Sequence, residues 1–344
     1  MVAPFPNPPP IAPVRAAQPQ PRVSVMVPTF EPDSRLRGAL NSVLVQAPPP
    51  DVMQIAVVDD GSQTDDVHRW VRDVDPTGRV EVFRHETRLG LAGNWNRAID
   101  RARGELIHLL HQDDFVLPGF YDRVTRGFSA TPAVGMAFCR ARIVDGLDRR
   151  IKLSSRLQWL PGVLSAWLRK IGVRQRIQTP SAIVHRRVYE QLGGFRTDLR
   201  QALDWEMWVR IAAHHQVWYE PRCLAVYRRH QANESARLSC QGGVWPDMIR
   251  AIEIIAASLP DDIRAETLEA CVLWHVSSAL RSAERLIAAG GIDHAATTIG
   301  FLPDLLRLLD RPLAALAATR RIEAARTALI RHPQRHSHDT RRAA

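Results

Sequence analysis

Two pairs of adjacent aspartates carry the first chemical signal in this chain. Asp113 and Asp114 end the apolar run of ELIHLLHQDD, and Asp59 and Asp60 end that of QIAVVDDGS. Carboxylates that close an apolar run cannot enter a core uncompensated; they must meet water, donors or a cation. For Asp113–Asp114, a hard divalent cation with oxygen ligands, usually shared with phosphate, is one such partner. An exposed turn in which Asp114 caps the next helix is the other reading. For Asp59–Asp60, a carboxylate suits a base N–H or a ribose hydroxyl. Gly61 and Ser62 equally suit a tight capping turn.

Both pairs must be positioned by strands. VSVMVPTF (Val23–Phe30), QIAVV (Gln54–Val58), VEVFRH (Val80–His85) and ELIHLL are short apolar runs that read as buried strands. Helical stretches separate them, at Leu36–Val45, Asp65–Val74 and Leu91–Arg103, and a helix begins near Pro118. Alternation of this kind predicts a parallel sheet covered by helices, with ligands beyond the strands' carboxyl ends. Both acidic pairs fall at such ends. Further on, Val134–Asp145 and Ser181–Arg186 read as strands, RVYEQLGGF and LDWEMWVRIAAHH as helices, and VWYEPRCLAVYRRH as extended chain.

The chain has 344 residues, 45% hydrophobic and 24% charged, which excludes collagen-like, disulfide-scaffold and wholly disordered classes. Cys139, Cys223, Cys240 and Cys271 show no metal or disulfide spacing, which fits a reducing compartment. No apolar run reaches the length of a transmembrane helix, and the start lacks a secretory signal's apolar core. The net charge of +10 comes from scattered Arg, with Lys152 and Lys170 the only lysines. That pattern does not point to nucleic acid. Residues 1–21 are expected to be a flexible Pro-rich leader, 22–240 the catalytic domain, 241–330 a helical extension, and 331–344 a disordered basic tail. In the extension, Leu268, Val272, Val276 and Leu280 recur every four residues. Its basic face could also meet a membrane surface.

In order along the chain, VSVMVPTF, VVDDGS, GLAGNWNRAIDRARGELIHLLHQDD and LP, then SAIVHRRVYEQLGGF, LDWEMWVRIA and YRRHQANES, resemble a family 2 glycosyltransferase. The likeness runs from about Val23 to Ser235. It implies the α/β GT-A fold, a Rossmann-like, mostly parallel central sheet with flanking helices, followed here by the helical extension. It implies inverting transfer from a nucleotide-diphosphate sugar with Mg²⁺ or Mn²⁺. Pro28, Thr29 and Glu31 would line the nucleotide pocket, and Asp60 would bond the base. Asp113 and Asp114 match the metal motif, Asp114 as direct ligand. Asp204 matches the catalytic base, and His230 a position near metal and diphosphate, assisted by Arg228 or Arg229. Asn94 and Asn96 would touch the donor, with Trp95 as packing.

Other readings remain for single residues. Asp204 could be a helix N-cap, and Glu206 would point elsewhere on that helix. Trp205 and Trp208 suit a core or a sugar platform. His108 and His111 have no ligand spacing. A dehydrogenase would need GxGxxG after the first strand, where the chain reads PTFEPDS. QxxRW and the spans of membrane-embedded synthases are absent. The resemblance therefore implies a cytoplasmic enzyme, or one at the membrane's inner face, acting on a glycan, lipid-linked or small-molecule acceptor. A catalytically inactive scaffold is the alternative.

Overall fold

The computed structural model describes residues 5–14, 20–63, 66–230, 244–309, 319–325 and 327. Strands β1 (Val23–Thr29), β2 (Met53–Asp59), β3 (Glu81–Arg84) and β4 (Leu106–Leu109) alternate with α1 (Ser34–Leu44), α2 (Val67–Val74) and α3 (Gly90–Arg101). They pair in parallel in the order β3-β2-β1-β4. Every residue of β1 and β2 is buried, as expected where helices cover both faces. The pleat sorts their side chains. Val23, Val25 and Val27 join Ile55, Val57 and the α1 residue Leu40 in one apolar layer. Met26, Ala56 and Val58 join Trp95 and Ile99 of α3 in the other.

The second half of the sheet is mixed. After β5 (Phe115–Val116) come two short helices, α4 (Phe120–Val124) and α5 (Arg126–Ala130), where the sequence suggests one helix from Pro118. Gly119, at φ 83°, turns the chain between Pro118 and the first helical residue. Then follow β6 (Val134–Asp145), β7 (Arg150–Leu153), β8 (Gly162–Val163), α6 (Trp167–Val173), β9 (Ala182–His185), α7 (Arg186–Leu192), α8 (Leu203–His214) and β10 (Gln216–Arg229). The sheet continues from β4 as β9-β6-β10-β5, with β7 on β6 and β8 on β10. β9 runs antiparallel to β4 and β6, while β6 and β10 are parallel.

The helical extension comprises α9 (Val244–Ser258), α10 (Asp261–Ala288), α11 (Ile292–Gly300) and α12 (Leu302–Leu306). It has no core of its own. Ile252, Ile255, Val272, Val276 and Leu280 belong to the same apolar cluster as Trp205, Trp208 and Ile171. Among the described residues, no helix is long and apolar enough to cross a membrane. The expected basic tail at 331–344 lies outside the described residues, as do Cys240 and the segment after His230.

The leader departs from expectation. Within residues 5–14 the Ile11 side chain is buried, and the Pro9 carbonyl accepts the Gly194 amide at 2.7 Å. Arg250 stacks on Phe5 at 4.5 Å. A proline-rich chain lacks ladder bonds, yet it can dock where glycines admit it. A Cβ at Gly193 would stand 3.0 Å from Pro8 and Pro9 atoms.

Asn96 also differs from expectation. It faces the interior, where its Oδ1 accepts the Phe195 amide at 2.7 Å and its Nδ2 donates to the Phe195 carbonyl at 2.8 Å. It ties α3 to the turn before α8 and does not line the candidate cavity. Asn96→Ala leaves two buried backbone groups without partners, at about 1–3 kcal/mol each. Thermal unfolding should show a Tm several degrees lower than that of the natural protein. An unchanged Tm would contradict the strut.

Candidate active site

A cavity of about 900 Å³ opens at the carboxyl ends of β1, β2 and β4. Asp60, Asp113, Asp114 and Asp204 all line it. A second hollow, of about 520 Å³ beside Trp167 and His214, has no carboxylate in its wall.

One wall is built from strand ends. Pro28, Thr29, Phe30, Asp60 and Asn94 line it. The Asp60 carboxylate accepts the amides of Leu89 and Gly90 at 2.7 and 2.9 Å, holding the start of α3. Burial raises its pKa against those bonds. Asn94 donates to the Val58 carbonyl at 3.1 Å and the Thr29 carbonyl at 3.3 Å, which leaves its buried Oδ1 without a partner. Arg88 stacks on the Phe30 ring at 3.8 Å. Glu31 stands behind this wall rather than in it. Its amide donates to the Ser62 hydroxyl at 2.8 Å, and its carboxylate accepts the Gln63 amide at 2.8 Å. It therefore braces the DDGS turn.

Gln112 joins this wall to the second acidic pair. Its Oε1 accepts the Phe30 amide at 3.0 Å, its Nε2 donates to the Phe30 carbonyl at 3.1 Å, and the Thr29 hydroxyl also meets it. A carboxamide can extend the end of β1 in this way as an extra strand residue would; a carboxylate lacks the donor. The absence of an acid at this position thus has a structural use.

The two aspartates after Gln112 face different partners. Asp113 lies 3.1 Å from His230 Nε2 and 3.5 Å from Arg35 Nε, and its buried Oδ1 has no hydrogen bond. Asp114 turns inward. It accepts the Arg228 amide at 2.8 Å and stands 3.2 Å from His111 Nδ1. Burial pushes its pKa up. His111, for which the spacing gives no ligand role, lines the cavity, stacks on Trp95 at 4.8 Å and keeps a buried Nε2 unpartnered. Only the strand-end position of its backbone could have flagged it. His108 differs: it is buried between the Tyr121 hydroxyl and the Pro180 carbonyl.

Asp204 is not the N-cap of α8; Ala202 is. Asp204 occupies the first turn, where its Oδ1 accepts the Trp205 amide at 2.7 Å and its Oδ2 accepts the Thr179 hydroxyl at 3.3 Å. Burial pushes its pKa up to about 6, against the pull of the Trp205 amide and His111. Trp205 and Trp208 are core, both 1% exposed. Glu206 does not line the cavity and pairs with Arg210 at 2.9 Å.

The remaining wall comes from segments with no motif. Gln175, Gln178 and Thr179 precede β9, and Trp245, Met248, Trp274, His275 and Ser278 project from α9 and α10. Asp247 of α9 accepts the amides of Arg200, Gln201 and Ala202 at 2.7, 2.8 and 2.8 Å. This grip fixes the residues immediately before Asp204. An isolated Asp on an apolar helix gives no sequence sign of that task.

Asp113 and Asp114 stand side by side in the wall of this cavity. Among the described residues, no three His, Cys, Asp or Glu side chains are grouped to hold a metal. Two carboxylates at a cavity rim still fit an ion that completes its shell with phosphate oxygens and water. Asp113 Oδ1, which faces Arg35 Nε at 3.5 Å and has no hydrogen bond, is the oxygen that would turn to it.

Comparisons with known proteins agree with this architecture. The family described as Glycosyl transferase family 2 matches residues 24–196. An uncharacterized protein of Mycobacterium tuberculosis is 30% identical over 270 residues, covering 75% of this chain and 82% of its own. The Staphylococcus aureus TarS fragment 1–349, solved with UDP-GlcNAc, superimposes with a TM-score of 0.64 at 19% identity, over 90% of each chain. The mannosyltransferase PcManGT of Pyrobaculum calidifontis, solved with GDP-Man and Mn²⁺, gives 0.52 at 20% identity, over 93% of this chain and 89% of its own.

The Asp204 environment yields a stability test. With a folded pKa near 6 and an ordinary value of 3.8, the folded state holds its proton more tightly. Native stability therefore falls as pH rises between those values, by about 3 kcal/mol at most. Asp204→Asn removes the buried charge. Its Tm should exceed that of the natural protein at pH 8, with the gap closing toward pH 4. A gap independent of pH would contradict the assignment.

Proposed function

The chain belongs to glycosyl transferase family 2, and from that premise we propose that it is a metal-assisted inverting enzyme. In this reading it moves a sugar from a nucleoside-diphosphate donor to an acceptor hydroxyl. One observation carries the proposal: a single cavity gathers Asp60, the Asp113–Asp114 pair and Asp204, each on a different element. The alternative of an inactive scaffold has no comparable observation in its favour.

The donor nucleoside lies against Pro28, Thr29, Phe30 and Asn94. Asp60 already accepts two amides, but each carboxylate oxygen has a second lone pair with which to take a donor from the base. Asn94 Oδ1 offers another acceptor. Asp113 and Asp114 would hold Mg²⁺ or Mn²⁺, which stabilises negative charge on the departing diphosphate. His230 and Arg35 border the same corner and keep Asp113 oriented. Arg228 fixes Asp114 through its amide and also reaches the Asp113 carbonyl. The relative solved with GDP-Man and Mn²⁺ supports both the donor class and the ion.

Asp204 receives the proton of the acceptor hydroxyl. A pKa of about 6 leaves it largely ionised at pH 7 and makes it a better base than an ordinary carboxylate. The attacking oxygen approaches the sugar on the face opposite the leaving group, so the anomeric centre inverts. The acceptor enters from the side walled by Trp245, Met248 and Trp274, whose apolar surface also keeps water from competing for the sugar. Trp245 and Trp274 suit a sugar ring, which favours a glycan acceptor or a glycan headgroup.

Two experiments test the proposal. Calorimetry with UDP- and GDP-sugars should find donor binding that strengthens with Mn²⁺. Asp113→Ala or Asp114→Ala should lose that metal dependence, and binding blind to metal in all forms would contradict it. Asp204→Asn should bind donor within about threefold of the natural protein yet lose about 10²–10⁴ in transfer rate. In the natural protein log kcat/KM should fall with unit slope below about pH 6, as Asp204 takes up its proton. Full transfer by Asp204→Asn would remove Asp204 from the mechanism.

A further inference from the structure

Six of the nine large hydrophobic side chains that stand exposed among the described residues fall within 147–163. They are Leu147, Ile151, Leu153, Trp159, Leu160 and Val163, and Trp159 is 78% exposed. None of the nine lies in the helical extension, where the sequence suggested a membrane-facing surface. Apolar groups concentrated in one short segment need a partner more than scattered ones do. β7 pairs only with β6 among the described strands, so the segment also presents an unpaired strand edge.

Charge identifies the partner. From Arg149 to Tyr189 the chain has no Asp or Glu, yet that stretch holds both of its lysines. Arg149, Arg150, Lys152 and Arg156 are all exposed beside the apolar groups. Arg156 lies over the Trp159 ring at 4.3 Å. Of the two acids at this turn, Asp148 is taken up by Arg228 at 2.7 Å and Asp145 by Arg149 at 2.7 Å, which leaves the charge of Arg150, Lys152 and Arg156. Two copies meeting through this surface would set like charges against each other. A bilayer with anionic headgroups instead meets both needs. Trp and Leu enter the interfacial zone, while Arg and Lys lie along it with their charges at the phosphates.

We infer that the 147–163 segment docks the protein on an anionic lipid surface. The docking turn is tied to the cavity. Asp148 binds the Arg228 guanidinium, and the Arg228 amide binds Asp114. A Cβ on Gly146 would lie 3.4 Å from His230 Cβ. The surface therefore holds the diphosphate corner of the proposed site next to the bilayer. Docking itself does not depend on the proposed reaction.

The test is co-sedimentation of the full chain with vesicles of phosphatidylcholine alone, or mixed equally with phosphatidylglycerol. The protein should partition onto the mixed vesicles about tenfold or more in preference to the neutral ones, and added salt should weaken that partition. Trp159→Ser with Leu160→Ser, and separately Arg150→Glu with Lys152→Glu, should each reduce it about tenfold. None of these residues lines the cavity, so donor binding serves as the control for folding. Equal binding to both vesicles, no binding, or binding that survives both double variants would overturn the inference. So would self-association, or nucleic-acid binding without vesicle binding, abolished by the same variants. Vesicle binding without any nucleotide-sugar binding would sustain the docking surface and reject the proposed reaction.

Discussion

Asp60, Asp113, Asp114 and Asp204 border one cavity, and every carboxylate withdrawn from water there must be met by donors or a cation. The fold supplies most of that compensation from backbone amides. Leu89 and Gly90 serve Asp60, Arg228 serves Asp114, and Trp205 serves Asp204. Asp113 is the exception: its oxygens face the His230 ring and the Arg35 guanidinium, and Oδ1 has no hydrogen bond. Its charge is met by side chains alone, at the corner where the proposed cation would sit.

The same constraint explains why the helical extension is more than a cover. Burial raises the Asp204 pKa, and the proposed base must be held firmly in that setting. Asp247 grips the three amides before α8, while Ile252 and Val276 pack in one layer with Trp205. The helix bearing the proposed base is thus fixed from a segment beyond the family match, which ends at residue 196. Variation in α9 and α10 can reshape the proposed acceptor wall at Trp245 and Trp274 while the strand-end wall stays constant.

How much of this is legible in the sequence follows from how local each signal is. Buried strands announce themselves by apolar runs, and both acidic pairs sit at their ends, so β1, β2, β4 and the strand-end wall are readable. The mixed half of the sheet is not, because β5 and β8 are two residues long and owe their pairing to β10. Asn94 and Asn96 look equivalent in GNWNR, yet the turn of the helix sends one to the cavity and the other to Phe195. The leader reads as flexible because its proline-rich stretch has no apolar period, although Ile11 is buried and Pro9 accepts the Gly194 amide. Asp247 and His111 act through residues far away in the chain, and no spacing rule finds them.

The most direct measurement is an anomalous-scattering map from crystals grown with Mn²⁺ and UDP or GDP. The account predicts one strong peak beside the Asp113–Asp114 carboxylates, bridged to the diphosphate, with the base near Asp60 and Asp204 across an open space. A nucleotide bound with no peak at that pair, or a peak in another part of the molecule, would contradict it.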